Sequence, residues 1–256
     1  MANYHLEVQV ISRGKGRSVT RLANYISGKR LCDPYQSTTY YKQRKDVLYY
    51  NIFQPANAPP AFHDLQHLCN AIEEAEHRYD ARTAREFKGS LPNELPRQEL
   101  IQIISEFIET NFLSRGLCAI AAIHEGRNYQ DPSRNNPHVH IIVPTRTVEL
   151  DGFSKRKDRE HNKRKYIDIW REQWALVQNL AYERNGLDVR VSHESLFVQG
   201  RYGREPVNHL SLVDWQKEQR GEITPAGARR RELEAQNKAR ILRPQIDLEI
   251  DHMLRR

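Results

Sequence analysis

Cysteine is scarce in this 256-residue chain. Cys32, Cys69 and Cys118 lie far apart and form no CxxC pair, which excludes a disulfide framework and a cysteine-bound zinc. Long apolar runs are absent too. No stretch approaches the roughly 20 residues that cross a bilayer, and mean hydropathy is −0.80. The opening "MANYHLEVQVISRGKGR" alternates apolar and polar residues. It lacks the apolar centre of a signal peptide, so a cytoplasmic protein is expected. The glycine-bearing "SRGKGRS" does not fit GxxxxGK[ST] and is no Walker A loop. Repeats and low-complexity linkers are also missing.

What is abundant is positive charge, and it is clustered. Forty Lys and Arg against 33 Asp and Glu give a net charge of +7. "GKGR" stands near the start, "KRKDREHNKRK" spans 155–165 and "ARRR" spans 228–231. Clusters of this kind suit a polyanion, although solvated loops and helix faces carry them as well.

The pattern along the chain predicts an α+β fold. Residues 3–11 alternate with Leu6, Val8 and Val10 on one face, as a half-buried strand does. Ser18 is placed to cap a following helix. A strand is expected within "DVLYYNIF", a helix over 61–79, a strand over 85–92 and an amphipathic helix over 96–113. Two apolar strands follow at 117–125 and 137–146, then a helix over 166–185. Strands joined by one polar loop usually pair antiparallel. The expectation is a central antiparallel sheet with helices packed mainly on one face, over residues 1–214. Residues 215–256, mostly charged, read as an exposed helical tail.

The most specific chemical feature is "HEGRNYQDPSRNNPHVHIIV". His138 and His140 are two apart on one predicted strand and so share a face. Val139, Ile141 and Val143 take the other face. In an antiparallel hairpin, His124 falls opposite His138. Three imidazoles that converge with coordination positions left open describe a catalytic metal site. Ordinary polar strand positions are the plainer alternative. Imidazoles suit Mn, Co, Ni, Cu or Zn better than Mg.

Tyr25, in "RLANYISGKR", is a second candidate. At about 100° per residue, Val19, Leu22, Ala23 and Ile26 form one apolar stripe, and Tyr25 sits roughly 110° away from it. Arg21 and Lys29 flank it on the same face, one turn either side. Nearby cations favour a phenolate and hold a phosphodiester. A surface tyrosine on a basic helix fits the same pattern. Among its competitors, Tyr166 extends the stripe Trp170, Trp174, Val177 and Ala181 and reads as core. Tyr182 lies off that stripe, and Tyr129, between the histidines, is placed to stack on a base.

Four stretches together resemble the MobA/MobL family of relaxases, within the wider HUH endonuclease group. "YHLEVQVISRGKGRSVTRLANYISGK" resembles the opening strand and the helix of the nucleophilic tyrosine. "EFKGSLPNEL" resembles the acidic segment near the active site. "AIHEGRNYQDPSRNNPHVHIIV" resembles the metal motif, and "VSHESLFVQGRYGREPVNHLSLVDWQKEQRG" the region after the catalytic core. The resemblance runs over nearly all of residues 1–225. It departs at Asn135-Asn136, where acidic residues are common, and at "VNHLSL", which lacks a glycine.

The resemblance implies a DNA strand transferase that nicks one strand at the origin of transfer of a plasmid or integrative element. Tyr25 would be the nucleophile, and Glu86 a general base or an orienter of a ligand histidine. His124, His138 and His140 would hold one divalent ion, Mn2+ or Mg2+ in use, with Zn2+, Co2+ or Ni2+ accommodated. Arg21, Lys29, Arg146, Lys155, Arg156 and Lys157 are candidates for DNA phosphate contacts. Implied partners are single-stranded and duplex DNA, relaxosome accessory proteins and a type IV secretion coupling protein, in the bacterial cytoplasm and with no membrane. The alternatives are an HUH replication initiator or transposase using another tyrosine such as Tyr166, a three-histidine phosphodiesterase using water, and a non-catalytic DNA-binding module.

Overall fold

The structure, a computed structural model, describes residues 4–128, 131–132, 135–200, 205–207 and 210–254. In chain order the regular elements are β1 (Leu6–Ser12), α1 (Val19–Ser27), β2 (Leu31–Asp33), β3 (Thr38–Tyr40), β4 (Val47–Phe53), α2 (Leu65–Glu74), β5 (Arg82–Ser90) and α3 (Arg97–Asn111). These are followed by β6 (Ala119–His124), β7 (His138–Pro144), β8 (Arg146–Glu149), β9 (Gly152–Lys157), α4 (Lys165–Arg184), α5 (Leu212–Gln219) and α6 (Pro225–Leu254). The chain forms two compact units, Met1–His193 and Glu194–Arg256. This division falls some way ahead of the 214/215 boundary expected from composition, which tracks charge and not contacts.

The first unit is built on a five-stranded sheet in the order β1-β5-β7-β6-β4. Every pairing in it is antiparallel, as expected for this α+β fold. The position of the helices differs from expectation, because they cover both faces. Phe87, Ala119, Ala121, Ile123, Val139, Ile141 and Val143 pack against α3 and α4. Their neighbours of opposite parity, Ala84, Ile120, Ala122 and Ile142, pack against α1 and α2. Parity explains the difference: successive strand residues alternate faces, and β6 is buried at every position, the mark of a strand covered on both sides.

On the α3–α4 side the core is aromatic. Phe107 lies edge-on to Trp174 with centroids 5.0 Å apart, and Phe87 to Trp170 at 4.9 Å. Gly89 on β5 makes room for this packing, since a Cβ there would come within 2.6 Å of the Trp174 indole.

Local signals set the helix ends. Ser18 caps α1, its hydroxyl accepting from the Arg21 amide at 3.2 Å. The helix expected over 61–79 is instead a short 3-10 turn, Pro60–His63, followed by α2. Asp64 restarts the helix there, its carboxylate accepting from the His67 amide at 2.9 Å. The hairpin of β8 and β9 is an addition that the charge pattern hid. Val148 pairs with Phe153 and Glu149 with Gly152 around Leu150-Asp151, so the first part of the basic run is a strand. In the second unit Glu218 binds Arg231 and accepts from the Thr224 amide at 2.6 Å, tying α5 to α6. Among the described residues, no helix is long and apolar enough to cross a membrane.

Candidate active site and metal centre

The three histidines meet because β6 and β7 pair in the register that places His124 opposite His138 and Ala122 opposite His140. All three share the α1–α2 face of the sheet. Their candidate ligand atoms lie within 4.8 Å of one another. His124 and His140 are buried at 0% and 4% exposure, and His138 is half-buried. Burial holds His124 neutral by lowering its pKa to about 4, and it lowers that of His138 in the same sense. A neutral imidazole is the form that binds a metal.

Each ring has one nitrogen engaged and one left over. His138 Nδ1 pairs with the Asn136 carbonyl at 2.8 Å and His140 Nδ1 with Glu86 Oε1 at 3.0 Å. His124 Nε2 pairs with the Ile26 carbonyl at 2.9 Å, while its Nδ1 is buried with no partner. A buried orphan nitrogen beside two further imidazoles fits a resident divalent cation, and the carboxylate and carbonyl partners are the outer support that such ligands use.

Tyr25 faces this cluster. Its ring lies edge-on to His124 and His140, with centroids 5.8 and 5.7 Å away. The half-buried Tyr25 packs against the edge of the α1–α2 core without entering it. Glu86 reaches the site from β5, where it pairs with Ile142 of β7 and Gln9 of β1. Its carboxylate is 1% exposed and binds His140, Arg17 Nη2 at 2.5 Å and, more loosely, Lys88 at 3.8 Å. Burial disfavours its charge, but the bond to His140 and these cations outweigh burial, so its pKa lies below the usual carboxylate value.

With this geometry in place, comparison with known proteins assigns the family. The MobA/MobL family model matches residues 17–220. This chain belongs to the MobA/MobL family. It is 36% identical over 162 residues to the probable mobilization protein MobA of Bifidobacterium longum, covering 62% of this chain and 28% of that protein. It is 27% identical over 238 residues to the mobilization protein MobL of Acidithiobacillus ferridurans, covering 82% and 62%. The chain therefore spans less than two thirds of either curated relative. A solved structure concerning the molecular basis of vancomycin resistance transfer in Staphylococcus aureus superposes with a TM-score of 0.67 at 30% identity, covering 76% of this chain and all of that one.

In this MobA/MobL chain the candidate cations divide. Arg21 is exposed and lines a cleft with Arg17, Leu22 and Tyr25. Lys29 turns its ammonium to the Tyr50 ring, 4.5 Å from the centroid. The cations over the Tyr25 ring are Arg44, at 4.4 Å, and Lys42, at 5.4 Å. Helical periodicity had no means of finding either, because both come from the irregular segment after β3. Arg146 is committed to Glu76 at 2.8 Å and to the carbonyls of Ser154 and Lys155. Lys157 is bound to the Arg82 carbonyl and to Glu76, each at 2.8 Å. Lys155 and Arg156 are exposed on β9 and border a cavity of about 870 Å³ with Arg115 and His161. Arg146 lies beyond the end of β7 remote from His138, past a strand roughly 20 Å long.

The competing tyrosines are in the core. Tyr166 is 6% exposed, its hydroxyl accepting from Arg115 at 3.1 Å. Tyr182 is 1% exposed, although it lies off the stripe, because α4 is buried over a wider arc than one stripe. Tyr129 lies outside the described residues.

Proposed function

We propose that this chain carries the nicking and strand-transfer chemistry of a DNA relaxase acting at an origin of transfer. The observation that carries the reading is Tyr25 packed edge-on against two of three clustered imidazoles. The Tyr25 oxygen bonds to the scissile phosphorus as the bond from phosphorus to the 3′-oxygen breaks. The phenolic proton is released, the 3′-oxygen takes one up, and the strand is left with a 5′-phosphotyrosine and a free 3′-hydroxyl. The number of phosphoester bonds is unchanged, so the strand can be rejoined without ATP.

His124, His138 and His140 would hold one divalent ion, for which Mn2+ suits three imidazoles better than Mg2+. When bound, such an ion neutralises charge on the phosphate oxygens and polarises the phosphorus. Glu86 keeps His140 oriented. Arg21, Lys155 and Arg156, exposed on the surface, are the phosphate contacts we retain from the sequence. The substrate is single-stranded DNA next to duplex origin DNA, in a bacterial cytoplasm. Accessory proteins and a secretion coupling protein complete the assignment.

The test is capture of a single-stranded oligonucleotide on a denaturing gel. Tyr25→Phe is expected to abolish the protein–DNA adduct, while Tyr166→Phe leaves it in place. A persistent adduct in Tyr25→Phe would sink the reading. Turnover without any adduct in the unaltered chain would point to water as the nucleophile.

A further inference from the structure

Arg44 lies between β3 and β4, and nothing in its sequence context marks it. In the fold its guanidinium carbon stands 4.4 Å from the centroid of the Tyr25 ring. Asp46 grips it at two points, accepting from Nε at 2.8 Å and from Nη2. Nη1 donates to the Tyr25 carbonyl at 3.4 Å. The side chain is only 13% exposed. Gly28, at the end of α1 with φ +70°, lets the segment pass close by, since a Cβ there would come within 3.2 Å of the Arg44 amide nitrogen.

An anchored arginine on an aromatic face can be simple packing. Two further observations point elsewhere. Lys42 also stands over the Tyr25 ring, at 5.4 Å, so two cations converge on one phenol next to three imidazoles. Asp46 offsets one of these charges, and an anion at the phenol would offset the other. The hydrogen-bonding capacity of Arg44 is also incompletely used. A guanidinium has five N–H donors. Asp46 takes two and the Tyr25 carbonyl one, which leaves two for the phenol oxygen and a phosphate oxygen.

We propose that Arg44 is a catalytic residue of strand transfer, its guanidinium bridging the Tyr25 oxygen and a non-bridging oxygen of the scissile phosphate, with Asp46 fixing its angle. The inference rests on Tyr25 being the nucleophile. It gives Arg44 the contact to the phenol that periodicity gave to Arg21 and Lys29, while Arg21 stays a candidate contact to the DNA phosphates.

The test uses the oligonucleotide that the unaltered chain captures from a random single-stranded library. Adduct formation is timed in single turnover, and binding is measured separately by fluorescence anisotropy. Arg44→Gln, which keeps most of the volume, is expected to slow adduct formation by about 100-fold, as loss of one preorganised donor does. Binding should change by no more than about threefold, since one phosphate contact among several is lost. Arg44→Lys keeps the charge without the fork and should fall between the two. Free guanidinium should speed Arg44→Ala and leave the unaltered chain unchanged. An Arg44→Gln rate within about threefold of the unaltered chain overturns the proposal. So does a folded Arg44→Ala, verified by thermal unfolding, that guanidinium does not speed. An adduct that survives Tyr25→Phe overturns the parent reading instead, and the two failures are told apart in one gel.

Discussion

The two faces of the central sheet are made by the same strands, one residue out of step, and they differ in kind. Towards α3 and α4 the face is closed by Phe87, Phe107, Phe112, Trp170 and Trp174, all at most 2% exposed. Towards α1 and α2 the apolar layer of Ala84, Ile120, Ala122 and Ile142 gives way at one end to His124, His138 and His140. Every nitrogen on that end that finds a partner does so through an acceptor from another element: Ile26 on α1, Asn136 ahead of β7, Glu86 on β5. A close-packed face holds the strands in register, and that register brings the three imidazoles together.

The division can be broken from either side. Trp174→Ala removes a fully buried indole from the closed face and is expected to cost about 3–5 kcal/mol of stability, read by urea unfolding. Affinity for Mn2+, titrated by calorimetry on the folded chain, should stay within about threefold. A large loss of affinity would show that the two faces are coupled. Glu86→Gln acts the other way. It keeps the acceptor for His140 Nδ1–H but removes the charge behind it, and Mn2+ affinity should fall about 10- to 100-fold. An unchanged affinity would mean that Glu86 does not support the ligand histidines.

Much of this was legible because it depends on periodicity. The shared face of His138 and His140 follows from the strand repeat, and the opposition of His124 to His138 from one hairpin. The exclusion of Tyr25 from the core follows from the helical repeat. What escaped depends on chain segments that meet only after folding. Arg44 is three residues from the start of β4 and 19 from Tyr25, and no repeat relates them. Arg146 and Lys157 look like a DNA-binding surface until Glu76, about 70 and 80 residues earlier in the chain, is seen to bind both. Covering helices on both faces could be inferred only from β6, where an unbroken apolar run replaces alternation.

The smallest expected effect concerns pH, and it probes His124, which is hydrogen-bonded to the helix of Tyr25. His124 is fully buried and its pKa is lowered to about 4, chiefly by burial, against 6.5 in the unfolded chain. Between these values the unfolded state binds the proton that the folded state refuses. Stability from this group is therefore complete above pH 6.5 and is lost as pH falls towards 4. Between pH 7 and pH 5 the metal-free chain should lose about 2 kcal/mol on this account. His138 and His161 are lowered in the same direction, so the total loss will be larger and must be separated. His124→Gln, with an amide that still donates to the Ile26 carbonyl, isolates the share of His124. The difference in stability between pH 7 and pH 5, measured by urea unfolding in chelator, should shrink by that amount. Excess Mn2+ should steepen the pH dependence of the unaltered chain, because protons then compete with the ion for the same nitrogens. If the variant and the unaltered chain lose stability in parallel, His124 is not held neutral by burial, and its unpartnered Nδ1 is not the buried ligand position on which the metal assignment depends.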